Sequence, residues 1–402
     1  MLSERRVRQA LQRPRPDPPW GGEPLLGGIY GEEEVEAAVA AIRSSMDPHV
    51  GFGFSAPPLP DFEAAFARYC GVRHAVALNS AGPGLDMAMR FLRLQPGDEV
   101  IVPAVNFPAS PLAVHGAGGR IVWGDIDART FQLDPADVEA RLTPRTRAIF
   151  PVHMNGLAAP LDELIEVGRR RPHPEHGPIP VVGDAARACG GGYRGTRLGK
   201  KGLLTVFSFH TMKNITTLGE GGMITTDDDA VERYCRSVRM YGGGVEEWGT
   251  SNVMTKVQAA VGLVQLGRLE GFVAARRRLA RARSEMLAGL EEIVLPHEPA
   301  DCEHSYYLYT CLVDPAWAGA KRDQLVKLMT EERGVGCVVA NRPVYQTRRL
   351  LREVTAGQHL PVSEAIAERL FCVSLHPAMT EAENEYAAAS LIDCVQRLRL
   401  SP

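Results

Sequence analysis

Short apolar runs alternate along the chain with stretches whose apolar residues recur every three to four positions. The runs at 75–78, 99–103, 120–123, 148–152, 180–183, 204–209 and 223–226 have the length of buried strands. Stretches of helical period separate or flank them, at 31–45 and from a helix opening near Leu85 to residue 94. This rhythm predicts an α/β fold, with a mainly parallel sheet covered on both faces by helices. A long helix rich in Arg and Ala is expected at 272–290, with a strand at 306–313 and a final helix at 381–398. The predicted organisation is a large domain at 26–268 and a smaller α+β C-terminal domain at 269–402, with an N-terminal arm at 1–25 that is extended through its Pro-rich part, 13–19. Arg276, Arg277 and Arg278 read as a solvated helix face. There is no internal repeat.

Composition narrows the class. A chain of 402 residues is long enough for two domains and a sizeable core. A net charge of -3 with acids and bases intermixed offers no basic field for nucleic acid. No run of about eighteen apolar residues is available to cross a bilayer, and no apolar signal region follows Met1 to Arg6. The eight cysteines lack CxxC pairs. A cytoplasmic protein with free thiols, no metal and a small-molecule substrate is expected.

Two residues carry the chemistry. Lys213 lies between the runs at 204–209 and 223–226, in Ser208-Phe209-His210-Thr211-Met212-Lys213-Asn214, with Gly221-Gly222 following. A lysine confined on a turn between strands can shed its proton and attack a carbonyl, which an exposed lysine with a pKa near ~10.4 does poorly. Asp184 ends the run Val181-Val182-Gly183, at the strand edge where parallel α/β sheets gather ligands. Such a carboxylate can serve the ring nitrogen of pyridoxal phosphate (PLP) beside a Schiff-base lysine, or it can simply cap a helix beginning at Ala185.

These motifs resemble the DegT/StrS group of PLP-dependent sugar aminotransferases, which have the type I fold. The resemblance covers most of the chain. It runs through Phe62-Glu63, Tyr69-Cys70-Gly71-Val72, Gly97-Asp98-Glu99-Val100, Asp125-Ile126-Asp127 and Thr143-Pro144-Arg145-Thr146, then Gln258-Ala259-Ala260, Gln265-Leu266 and Leu375-His376-Pro377. It implies that Lys213 forms the Schiff base, Asp184 partners the pyridine nitrogen, Ser208 binds phosphate and Phe107 stacks on the ring. Taken without the resemblance, Phe107 reads as a core aromatic and Ser208 as a strand hydroxyl. The small-residue turn Ser80-Ala81-Gly82 is the implied phosphate loop. It replaces the family's Ser-Gly-Thr, and Pro83 after it has no amide hydrogen. Arg187 stands where the family has glutamine or histidine near the ring hydroxyl. Ser251 or Asn252 takes the place of an asparagine that reaches the partner subunit's phosphate. Asn341, Arg342, Tyr345 and His376 are candidates for the substrate mouth, although Asn341-Arg342 replaces the family's histidine-tyrosine.

The resemblance implies transfer of an amino group from an amino acid, glutamate or glutamine, to a ketosugar, sugar nucleotide or cyclitol ketone. It also implies pyridoxamine phosphate as the intermediate form of the cofactor and a homodimer with shared sites. The alternatives are a sugar dehydratase of the same fold, which carries histidine in place of the lysine, an enzyme aminating a non-sugar ketone, and a non-catalytic regulatory protein.

Overall fold

The computed structural model describes residues 1–23, 29–53, 56–340 and 342–400. The predicted strands form, with ends shifted by one to three residues. Across the large sheet the order is His74–Leu78, Gly222–Thr226, Leu204–Ser208, Val182–Asp184, Thr146–Ile149, Glu99–Pro103 and Arg120–Gly124. Bridges from Ile149 to Val181 and from Val152 to Asp184 join its two halves. All neighbours run parallel except Gly222–Thr226, which is antiparallel on both sides.

The strands are buried at nearly every position because both faces are covered. Ala75, Ala77, Ile101, Ile149, Phe207 and Met223 point to one core with Phe62, Phe66, Leu161 and Leu164 of the helices Leu59–Cys70 and Leu161–Arg170. Their neighbours Val76, Leu78, Val100, Val102, Ala148, Val206 and Ile224 face the opposite core, with Leu85, Ala88, Val114 and Val231 of the helices Ala81–Phe91, Ala109–Gly116 and Asp229–Val238. The period of two sorts consecutive residues onto opposite faces.

Three expectations change. The helix expected near Leu85 opens at Ala81 instead, with Pro83 accommodated in its first turn. The helix expected at 272–290 is the 32-residue Lys256–Leu287, so it runs through the expected boundary at 268/269. Its start is fixed by reciprocal bonds in which the Gln258 amide donates to Thr255 Oγ1 and the Thr255 amide donates to Gln258 Oε1. Gly262 interrupts the helical pattern in the sequence but is required by packing, because a methyl there would fall 2.7 Å from the Phe62 ring. Arg276 is also not solvated. It is 1% exposed and donates to the carbonyls of Tyr306, Tyr307 and Leu375, while Arg277 is half-buried and Arg278 exposed. Charge alone did not mark one arginine of the three as facing inward.

Beyond the large sheet, Ile293–Val294, Tyr309–Val313, Leu370–Val373 and Cys337–Val338 form a four-stranded antiparallel sheet under the final helix Glu381–Arg399. The arm contributes to this second core: residues 13–19 are irregular as expected, but Glu4–Leu11 is a helix whose Val7 and Ala10 are buried there. The eight cysteines are free, and no helix among the described residues is long and apolar enough to cross a membrane.

Glu63 links the first helix of the large core to the sheet. Its buried carboxylate accepts from the Ala77 amide at 2.9 Å, from Arg236 at 2.8 Å and from the fully buried Arg239. Removing one member of a buried ion pair strands the other, so Glu63→Ala is expected to cost roughly 3–5 kcal/mol in chemical denaturation. A loss under about 1 kcal/mol would assign the cluster no structural role.

Candidate active site

The site lies at the carboxyl ends of Val182–Asp184 and Leu204–Ser208, which run parallel with Asp184 opposite Val206. After Ser208 the chain turns through Lys213 and returns antiparallel, with Gly222 opposite Ser208. The Phe209 and Thr211 amides donate to Gly221 and Gly219 and close this loop. Two further bonds position it. Asn214, next to Lys213 and 2% exposed, donates its Nδ2 to the Cys189 carbonyl at 2.8 Å, just beyond Asp184 in the chain. The Thr216 amide donates to Gln265, which in turn donates to Glu34.

Lys213 is thereby held where water is scarce. Burial pushes its amine down to about 8, repulsion from Arg187 adds to this, and Glu23, Asp184 and Glu220 act in the opposite sense. Its Nζ sits 4.8 Å from the centroid of the Tyr307 ring, and the Arg187 guanidinium carbon sits 5.7 Å from the same centroid. Arg187 also donates to Asn155 Oδ1 at 3.4 Å.

Asp184 is 4% exposed, and both of its carboxylate oxygens are engaged. Ser110 donates to Oδ2 at 2.6 Å and the Ala186 amide donates to Oδ1 at 3.0 Å. The second bond makes a turn, because no helix begins at Ala185. That corrects the capping alternative. His153 is fully buried beside this strand, with its amide donating to the Asp184 carbonyl at 2.9 Å and its Nδ1 accepting from the Ala159 amide at 3.0 Å. Burial pushes its imidazole down to about 3, so it is neutral, and its Nε2 has no partner among the described residues.

Beside Ser208 the backbone is closely packed. A methyl on Gly222 would fall 2.6 Å from the backbone of Ser80 and Ala81. Ser208 is therefore beside the N-terminus of the helix Ala81–Phe91, whose N-cap Ser80 makes no side-chain capping bond. The amides of Ala81 and Gly82 remain available to an acceptor from outside the helix, and the helix dipole favours an anion there. With Asp184 opposite Val206, strand spacing puts Asp184 and Ser208 about 8 Å apart at their Cα atoms.

Residues 32–392 match the profile of the DegT/DnrJ/EryC1/StrS aminotransferase family. The chain belongs to this family. GDP-perosamine synthase of Caulobacter vibrioides is 37% identical over 342 residues, 82% of this chain and 88% of that protein. DesV of S. venezuelae, solved in complex with a ketimine intermediate, is 32% identical with a TM-score of 0.83, covering 95% of this chain and 100% of its own. The PLP form of Spr1654 from Streptococcus pneumoniae is 26% identical with a TM-score of 0.84, covering 96% and 99%. The chain is an aminotransferase of a PLP-dependent family, with the type I fold.

The remaining expected residues are placed unevenly. Phe107 is 57% exposed, three residues before Ser110, which overturns the reading of it as a core aromatic. Asn252 accepts from the Asn79 amide at 3.0 Å, so the 251–252 segment runs beside the chain's own Ser80 loop, with Ser251 exposed. Arg342 is exposed near the loop carrying Phe107, because Pro343 bridges Val105. Tyr345 does not line a mouth: its ring packs on Trp123 and its hydroxyl donates to Glu364 at 2.6 Å, a partner 19 residues away that the sequence does not reveal. His376 is half-buried near Arg276, where burial pushes its imidazole down. Asn341 lies outside the described residues. Ser110, His153, Tyr307 and Glu23 were not anticipated, and only their contacts single them out.

Because Lys213 titrates below the ordinary 10.5, the folded protein bears a penalty for its charge below about pH 8 that fades as pH rises toward 10.5. Competitive acetylation of the cofactor-free protein across pH should give Lys213 a midpoint near about 8. A midpoint above about 10 would contradict its burial.

Proposed function

We propose that the chain transfers an amino group from glutamate or glutamine to a ketosugar, with Lys213 as the reactive amine and PLP as cofactor. The observation that carries the reading is a half-buried lysine, its amine pushed down by desolvation, within electrostatic reach of the buried Asp184 carboxylate. The donors fit the cofactor: the Ser80, Ala81, Gly82 and Ser208 cradle suits its phosphate, and the Asp184 carboxylate, fixed by Ser110, suits its ring nitrogen. Bound there, PLP supplies an aldehyde carbon for incoming amines and a ring that withdraws electrons from it. Asp184 keeps the ring nitrogen protonated. Phe107 offers its exposed face for stacking, typically worth about 1 kcal/mol beyond buried area.

Lys213 Nζ is the proton carrier. With an amine titrating near about 8, a minor but substantial share is neutral at pH 7, ready to take a proton from the donor's Cα. The same nitrogen would hold and return that proton, so one amine would serve both its removal and its return. A nucleotide-linked ketosugar is supported as acceptor by the likeness to GDP-perosamine synthase, and the lysine at 213 weighs against the dehydratase alternative.

Homodimerisation is part of the proposal. Val35, Ile42 and Met46 are exposed along one face of the helix Glu32–Ser44 and its extension, and Val50 and Phe52 continue this apolar surface. A second copy covering it is expected, and Ile42→Arg should release monomers in light scattering. A wild-type monomer with full activity would exclude a shared site.

Addition of PLP should turn the protein yellow, and glutamate or glutamine should bleach the colour. Lys213→Ala should remove that colour and cut turnover at least 10²–10⁴-fold, roughly the scale of a lost acid–base group. Asp184→Asn should cost about a hundredfold. Retained turnover in Lys213→Ala would remove the assignment.

A further inference from the structure

The N-terminal arm reaches the site. Arg13 anchors it to the final helix, donating to the Ala382 carbonyl at 2.8 Å and pairing with Glu385 at 3.1 Å. Farther along, the Trp20 amide donates to the Gly334 carbonyl at 2.9 Å, and the indole meets Tyr386 edge-on at 6.2 Å. From Trp20 to Gly22 the arm lies against Gly336–Val338 with no room for side chains between them. A methyl on Gly336 would fall 2.1 Å from the Trp20 carbonyl oxygen, and one on Gly22 would fall 2.9 Å from the backbone of Cys337 and Val338. The next residue is Glu23, and its Oε1 accepts from the Tyr307 hydroxyl at 3.2 Å.

Tyr307 is 3% exposed, and its ring is the surface that Lys213 and Arg187 both approach. We propose that Glu23 and Arg187 are opposed positioning residues that set the charge and seat of Lys213 around the shared Tyr307 ring, making the N-terminal arm part of the active site. The ring's negative face attracts both cations, which repel each other. Glu23 supplies the opposing charge and polarises the Tyr307 hydroxyl. The other charged groups facing Lys213 are Asp184, engaged by Ser110, and Glu220, on an exposed loop 3.9 Å from His210. Glu23 is the member of this set that arrives from outside the large sheet and its loops. The inference rests on Lys213 being the reactive amine, but its test does not depend on turnover.

The test is the acetylation midpoint of Lys213 in full-length, cofactor-free variants whose folding is checked by circular dichroism. Glu23→Gln should lower the midpoint and Arg187→Gln should raise it, each by roughly 0.5–1 pH unit, the scale of a nearby charge removed across a partly screened gap. Glu23→Asp should restore most of the wild-type value. Tyr307→Phe should shrink the effect of Glu23→Gln by at least half. A midpoint that stays within about 0.2 unit of wild type, or moves the opposite way, in either charge variant would overturn the proposal. If Lys213→Ala abolishes the yellow colour while these midpoints stand still, the assignment of Lys213 survives and the role of the arm falls.

Discussion

Holding one amine away from water, at the ends of two parallel strands, is the constraint that orders this molecule. Lys213 does not lie on a strand or a helix. Its place comes from the antiparallel return of Gly222–Thr226, from Asn214 bonding to Cys189, and from Thr216 bonding to Gln265. Each of these ties the lysine loop to a different part of the fold. The Asn214 bond is the most direct, because Cys189 follows Asp184 by five residues and so couples amine and carboxylate through the backbone. A loop without such ties would let the ammonium reach solvent and recover its ordinary pKa.

The surroundings stabilise this arrangement in two ways. The doubly covered sheet supplies the strand ends, with Gly222 allowing the Ser80–Ala81 backbone to come close to Ser208, two residues beyond the position opposite Asp184. A separate apolar cluster with Val105, Val152 and Leu308 supplies Tyr307, whose ring receives two cations that would otherwise repel each other. The second core is completed by the first residues of the chain, which pack with the final helix, and farther along the arm Glu23 reaches Tyr307.

Much of this was legible in the residues. The strand rhythm survives because buried parallel strands are continuous apolar runs, which single-sequence patterns expose well. Asp184 stood out as a charged group closing an apolar strand, and Lys213 as one on the turn between two such strands. Ser110, His153, Tyr307 and Glu23 were not, since a serine, a histidine or a tyrosine among apolar neighbours looks the same whether or not a distant partner waits for it. Tyr345 shows the converse. It stood in a plausible stretch, but Glu364 and Trp123 draw it into the core. The long helix begins at Lys256 rather than at 272, and Gly262 within it admits the Phe62 ring.

The proposed function requires that the amine at position 213, and no other, engage the cofactor. Borohydride trapping of the protein with PLP, followed by peptide mass spectrometry, reads this out residue by residue. Modification confined to the peptide carrying Lys213 is the predicted result. Modification at Lys200, Lys201, Lys256, Lys321 or Lys327 instead, or at no lysine, would contradict it.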